Sequence, residues 1–105
     1  MKISTLKLRD EITRIDELKF FANVRKHGIS FEIAARVFAD PLAVSNQDRI
    51  ESGEHRWQTV GMVDGHLLVL VAHAVRHDDD TEVIRIISAR RANKQERKYY
   101  EQKNS

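Results

Sequence analysis

The residues best suited to chemistry crowd into one stretch of this chain. From Arg85 to Lys103 stand seven basic residues (Arg85, Arg90, Arg91, Lys94, Arg97, Lys98 and Lys103) against Glu96 and Glu101, a local charge of +5 in a chain of formal net charge +2. Arginine is the strongest phosphate donor among them, because its planar fork matches two phosphate oxygens and stays charged throughout. Tyr99 and Tyr100 sit inside the same stretch, where a ring can stack on a base and a hydroxyl can hold or move a proton. A basic stretch with paired tyrosines suits a surface that grips a phosphate backbone. A solvated helix face carries the same charges, so composition leaves both readings open.

Other candidates lie upstream. His55 carries an imidazole, a group that can serve as acid or base, although one histidine among five carries little information. Arg56 and Lys26 are cations in reach of a phosphate, with Lys26 and His27 also placed to complement a helix dipole. Trp57, the sole tryptophan, reads as a packing anchor. Glu96 reads as the reciprocal partner of an Asn93 cap. The five histidines show no His-x-x-x-His pair on an expected helix, and Asp78-Asp79-Asp80 reads as a solvated loop, so no metal and no cofactor are expected. The absence of cysteine excludes a disulfide scaffold, a Cys-ligated zinc and a thiol nucleophile together.

The elements that must position these groups are legible in outline. At 105 residues a single domain with one principal site is expected. Asp16 caps a first helix over about 17–27, with Gly28 as its stop, and Ser30 caps a second that Pro41 ends. A short strand over 12–15 is an optional addition ahead of them. Four strands then follow at 42–45, 57–62, 66–74 and 82–89, with Asp64-Gly65 predicting a tight type I′ hairpin. In strict alternation along the fourth, Arg85 shares a face with Ile87 and Ala89, while Ile84, Ile86 and Ser88 point the other way. Asn93 and Glu96 open a final helix from Lys94 to about Gln102. The class is α+β: two N-terminal helices, a four-stranded antiparallel meander and a C-terminal helix. With no leader-like apolar segment behind Met1 and no long apolar run, a soluble cytoplasmic chain without membrane contact is expected.

Read in order, Lys26-His27-Gly28-Ile29-Ser30-Phe31-Glu32, Val37-Phe38-Ala39-Asp40-Pro41-Leu42, Gly53-Glu54-His55-Arg56-Trp57 and Ile84-Arg85-Ile86-Ile87-Ser88-Ala89-Arg90-Arg91-Ala92 resemble the segments of the BrnT-like toxins over about residues 15–101. Where those toxins open on a strand ending in Trp-Asp, this chain reads Ile15-Asp16, and near the end of the third strand it carries His73-Ala74. The resemblance implies a fold similar to the RelE ribonucleases and ribonuclease activity that arrests translation. It also implies neutralisation by a BrnA-type ribbon-helix-helix antitoxin, the complex reaching operator DNA through that partner.

Cleaving RNA without a metal requires an aligned 2′-hydroxyl, a base to take its proton, donors for the phosphate oxygens and an acid for the leaving oxygen. On this reading Arg85, Arg90, Arg91 and Arg97 are phosphate ligands in catalysis, with His55 or Tyr100 moving the proton. Lys26, Arg56, Lys94, Lys98 and Tyr99 hold the RNA. The alternative functions are a non-catalytic nucleic-acid-binding module and an inactive interaction subunit.

Overall fold

A computed structural model describes the backbone of residues 3–8, 11–16, 26–51, 53–78 and 81–105, with side chains for 26–51, 53–76 and 82–105. In chain order the elements are β1 (Ile3–Leu8), β2 (Glu11–Asp16), α1 (Phe31–Arg36), a 3-10 turn (Val37–Ala39), β3 (Val44–Glu51), β4 (Glu54–Val63), β5 (Leu67–Asp78), β6 (Thr81–Arg91) and α2 (Lys94–Lys103). One sheet holds all six strands in the order β1-β2-β6-β5-β4-β3. The four strands from β3 to β6 form the expected antiparallel meander. The optional N-terminal strand is present and has a partner: β1 and β2 make a hairpin whose second strand runs parallel to β6, Thr13 opposite Glu82 through Asp16 opposite Arg85.

Local signals explain where the elements start and stop. The Ser30 hydroxyl accepts from the Ile33 N–H at 3.2 Å and opens α1, which tightens into a 3-10 turn before Pro41. Of the two helices expected ahead of the meander, α1 is the one seen. The first lies outside the described residues except for Lys26 and His27, which are helical. Between β4 and β5, Asp64 and Gly65 both take positive φ, 56° and 76°, and the His66 N–H closes the turn on the Val63 carbonyl at 3.3 Å. That is the type I′ geometry, with glycine at a position few other residues tolerate. Asn93 and Glu96 form a reciprocal capping box at the start of α2.

Among the described residues, one helix packs on each face of the meander. On the first face α1 and the 3-10 turn bury Phe31, Ala34 and Val37 against Val69, Val71, Ile84, Ile86 and Ala89. Val37 comes so close to β4 that a Cβ on Gly61 would lie 2.7 Å from its Cγ1 and 2.9 Å from its carbonyl oxygen. On the second face α2 lays Tyr100 over Val60, Leu68 and Leu70. Fully burying a side chain of this kind is worth about 1.5–3 kcal/mol, so each helix is fastened mainly by its apolar contacts.

Two expectations about strand extent and facing need correction. β3 runs on to Glu51, well past Ser45, although Ser45 to Glu51 are all exposed. It is an edge strand, and charged residues such as Asp48, Arg49 and Glu51 are what an edge carries to discourage further pairing, so its outer half reads as a loop. Strict alternation also fails in β6. Ser88 pairs with Ala72 and Ile86 with His73, leaving Ile87 as an extra residue. This bulge turns Arg85, Ser88 and Arg90 onto the α2 face and leaves Ile84, Ile86 and Ala89 on the α1 face.

Candidate nucleic-acid interface

The bulge arranges the α2 face in rows across the sheet. Val44, Val60, Leu70 and Arg90 form one row, Asn46, Gln58, Ala72 and Ser88 the next, and Arg49, Arg56, Ala74 and Arg85 the third. The first row lies under α2, whereas the other two run beyond it. Ala72 and Ala74 give β5 a low floor, and Arg56 and Arg85 rise on either side of it, two strands or ~10 Å apart. An anion over Ala74 therefore meets two guanidinium groups, and one over Ala72 meets an amide and a hydroxyl.

The charged groups of this face differ in what they already hold. Arg85 donates from Nη2 to Glu54, both side chains being half-buried. Arg90 grips Glu96 through two parallel bonds of 2.8 Å, and Glu96 also accepts from the Asn93 N–H at 2.9 Å. Hydrogen bonding to Arg90 is the main reason that the Glu96 carboxyl is held below its ordinary value and the Arg90 guanidinium above its own. Arg49 is paired with Glu51 at 2.8 Å and Asp48 at 3.0 Å. Arg56 is half-buried and its Nε is buried with no hydrogen-bond partner among the described residues, while the Glu51 carboxyl, held below its ordinary value first by its bond to Arg49, feels the Arg56 charge as well.

The remaining sequence candidates fall in three places. Arg91, paired across from Val69, is exposed and turned away from Arg90, onto the α1 face. Lys94, Arg97 and Lys98 lie exposed on α2, and Lys26 is exposed two residues before Gly28. His55, paired with Val75, faces away from Arg56 and Arg85, with Nδ1 2.9 Å from Gln47 Nε2. Trp57 is half-buried on the α1 face too. The structure thus brings Arg56, Arg85, Arg90 and Tyr99 onto one face and does not bring His55 or Arg91 to it.

The two tyrosines have separate lives. Tyr100 is buried, and its hydroxyl donates to Asp40 Oδ2 at 2.7 Å. The same carboxylate accepts the Met62 N–H at 2.8 Å and the Leu42 N–H at 2.9 Å, so Asp40 ties the segment after α1 to β4 and α2. Burial, and then the bond to Asp40, pushes the Tyr100 phenol up to about 12. It is a neutral donor at ordinary pH. Tyr99 is half-buried at the rim, its hydroxyl donating to Asn46 Oδ1 at 2.9 Å and Lys103 Nζ lying 5.5 Å from its ring centre.

Two further residues stand out, Glu54, which sequence reasoning passed over, and His73, which it noted as a departure from the family pattern. Glu54 is the carboxylate beside the Arg56–Arg85 pair, whereas in the sequence it was its neighbour His55 that drew attention, because imidazole titrates near neutrality. His73 has been drawn into the opposite face, with Nε2 2.8 Å from Thr59 Oγ1, which is itself 2.7 Å from Ser45 Oγ. Phe38 meets its ring edge-on at 4.8 Å, and Nδ1 has no partner among the described residues. Burial pushes this imidazole down to about 4, so it is neutral and structural. Among the described residues no group of three His, Asp or Glu side chains is placed to share a metal ion, and no helix is long and apolar enough to cross a membrane.

Against known families, residues 16–96 match the model of the ribonuclease toxin BrnT of type II toxin-antitoxin systems. No curated protein matches the chain. The matched span includes α1, the whole meander and the capping box of α2.

Proposed function

Because the chain belongs to the BrnT family of ribonuclease toxins of type II toxin-antitoxin systems, we propose that it is a metal-independent endoribonuclease that cleaves RNA by transesterification and so arrests translation. The observation that carries this reading is the row Arg56–Ala74–Arg85 with Glu54 beside it. Arg56, whose Nε has no partner among the described residues, and Arg85, which spends one of its five N–H donors on Glu54, hold the non-bridging oxygens of one phosphate. Glu54 takes the proton of the 2′-hydroxyl, and the 2′-oxygen attacks phosphorus. The bond to the 5′-oxygen then breaks, giving a cyclic phosphate and a 5′-hydroxyl whose proton comes from solvent over this open half of the face. Arg90, Lys94, Arg97, Lys98 and Tyr99 extend the grip along the strand, and Lys26, Arg91 and His55 serve at most as outlying contacts.

We take this chemistry to run in one RelE-like domain in the cytoplasm. Family membership implies an antitoxin partner. We take it to be a ribbon-helix-helix protein of the BrnA type that covers the cationic face, the complex meeting operator DNA through that subunit. The test is induced expression of the wild type beside an Arg56→Ala, Arg85→Ala double variant in a bacterium, with growth and total RNA integrity followed together. Arrest and RNA loss with the wild type alone support the reading. RNA binding by purified wild type without any turnover returns the chain to the non-catalytic class.

A further inference from the structure

Where α2 leaves the sheet, a small cavity opens between Asn46, Gln58, Val60, Leu70, Gln95 and Tyr99. We propose that it holds one nucleobase of the RNA, and that it favours a base with a carbonyl beside a ring N–H, the edge that uracil and guanine share. This inference rests on the ribonuclease reading and adds to it a rule for where the strand is cut.

Size and lining point to a base. The volume, about 170 Å³, is below the ~300–1,000 Å³ of sites for drug-sized ligands, so the space suits one flat ring and little more. Its floor, Val60 and Leu70, is apolar, and Tyr99 supplies an aromatic wall, the two kinds of surface against which an unstacked base is held. The rim carries three primary amides, groups that recognise base edges through paired donors and acceptors. The cavity also lies one row from the Arg56–Ala74–Arg85 trough, since Asn46 and Gln58 belong to the adjacent row. A phosphate over the trough places its own nucleoside at the cavity mouth.

The preference follows from which atoms are already engaged. Asn46 Oδ1 already accepts from the Tyr99 hydroxyl, which fixes the amide with its N–H₂ as the less engaged end, a donor that a carbonyl on the ligand meets best. Glu96 is paired through both oxygens with Arg90, and Oε1 also accepts the Asn93 N–H, so the carboxylate at the rim is neutralised and is a weaker acceptor for the amino groups of adenine or cytosine. The Gln58 amide lines the same cavity and can present its carbonyl to a ring N–H. A base presenting carbonyl and N–H side by side satisfies both amides at once, and a base with an amino group in the carbonyl's place sets donor against donor.

The experiment is an NMR titration of the full chain with the four nucleoside 3′-monophosphates and, separately, with inorganic phosphate. The side-chain amide signals of Asn46, Gln58 and Gln95 are the readout. Uridine and guanosine monophosphates are expected to shift Asn46 and Gln58 saturably, at least tenfold more tightly than the adenosine and cytidine compounds. In Asn46→Asp, which exchanges the donor for an acceptor and keeps an oxygen for Tyr99, that preference disappears or reverses; in Gln58→Leu it shrinks. Equal affinity for all four nucleotides overturns the proposal, as do shifts that inorganic phosphate reproduces. The titration needs no turnover, so base selection without RNA cleavage sinks only the ribonuclease reading. Cleavage with no preference for the nucleotide at the cut sinks only the pocket.

Discussion

Replacing Tyr100 by Phe should cost the protein stability and leave its chemistry intact. The substitution removes one oxygen and keeps the ring over Val60, Leu68 and Leu70, so no cavity forms. What is lost is a hydrogen bond of 2.7 Å to a carboxylate, a class of bond worth about 1.5–3 kcal/mol. Asp40 retains its two backbone donors, Met62 and Leu42, so no orphaned charge is left, and the loss should fall near ~2 kcal/mol. For a domain of this size that lowers the melting temperature by roughly 8–16 °C. Asp40→Ala, which strands all three donors, should cost more, about 4 kcal/mol. Because both changes break the same bond, the double variant should be less unstable than the sum of the two. Thermal unfolding followed by circular dichroism measures all three. RNA turnover well below the new midpoint supplies the second readout, since loss of a proton-transfer group lowers rate by ~10²–10⁴. An unchanged melting temperature combined with such a fall in turnover would refute the assignment of Tyr100 to docking and return it to the chemistry.

Other expectations follow from particular contacts. Arg56→Ala should weaken RNA binding and flatten its dependence on salt, the slope of log affinity against log salt concentration dropping by ~0.7 for one lost phosphate contact on a single strand; filter binding across a salt series measures this. Gly61→Ala forces a Cβ to within 2.7 Å of Val37 Cγ1 and should destabilise the fold by about 1–3 kcal/mol in urea unfolding. For His73, whose folded-state value of about 4 lies below its ordinary 6.5, the unfolded chain binds the proton more readily. Its neutral burial is therefore free of penalty above pH 6.5, and stability drains away as pH falls from about 6.5 to about 4; in His73→Gln that loss, read as urea midpoints against pH, should shrink. Asp40 acts lower on the scale. Burial opposes its charge, but the bonds from Met62, Leu42 and Tyr100 together outweigh burial and hold it below 3.8, so its contribution persists until pH falls through that depressed value.

Local chemistry was the legible part of this chain. Ser30, Pro41, Asp64-Gly65 and the Asn93–Glu96 pair each specify a boundary through bonds to residues within a few positions, and each boundary stands where those bonds require it. What could not be read is non-local. Nothing near Ile87 announces that Ala72 and His73 on another strand will skip it, yet that skip decides which arginines share a face. The outer half of β3 lacks a hydrophobic period because no layer covers it, and periodicity records burial rather than pairing. Glu54 and His55 are adjacent in sequence and opposite in space. Only the pairing of His55 with Val75 shows that the carboxylate, and not the imidazole, stands among the arginines.

The order in which the chain pairs its strands also bears on how the protein is made. β6 and α2 supply Arg85, Arg90, Gln95 and Tyr99, and they follow in the chain every strand with which they build the cationic face. Synthesis runs from the N-terminus, so β3, β4 and β5 leave the ribosome as a meander carrying Glu54 and Arg56 but no opposite wall. Throughout that interval the growing chain holds half a trough and no cavity. The finished face therefore exists only once β6 and α2 have been added, a delay set by the topology of the sheet itself.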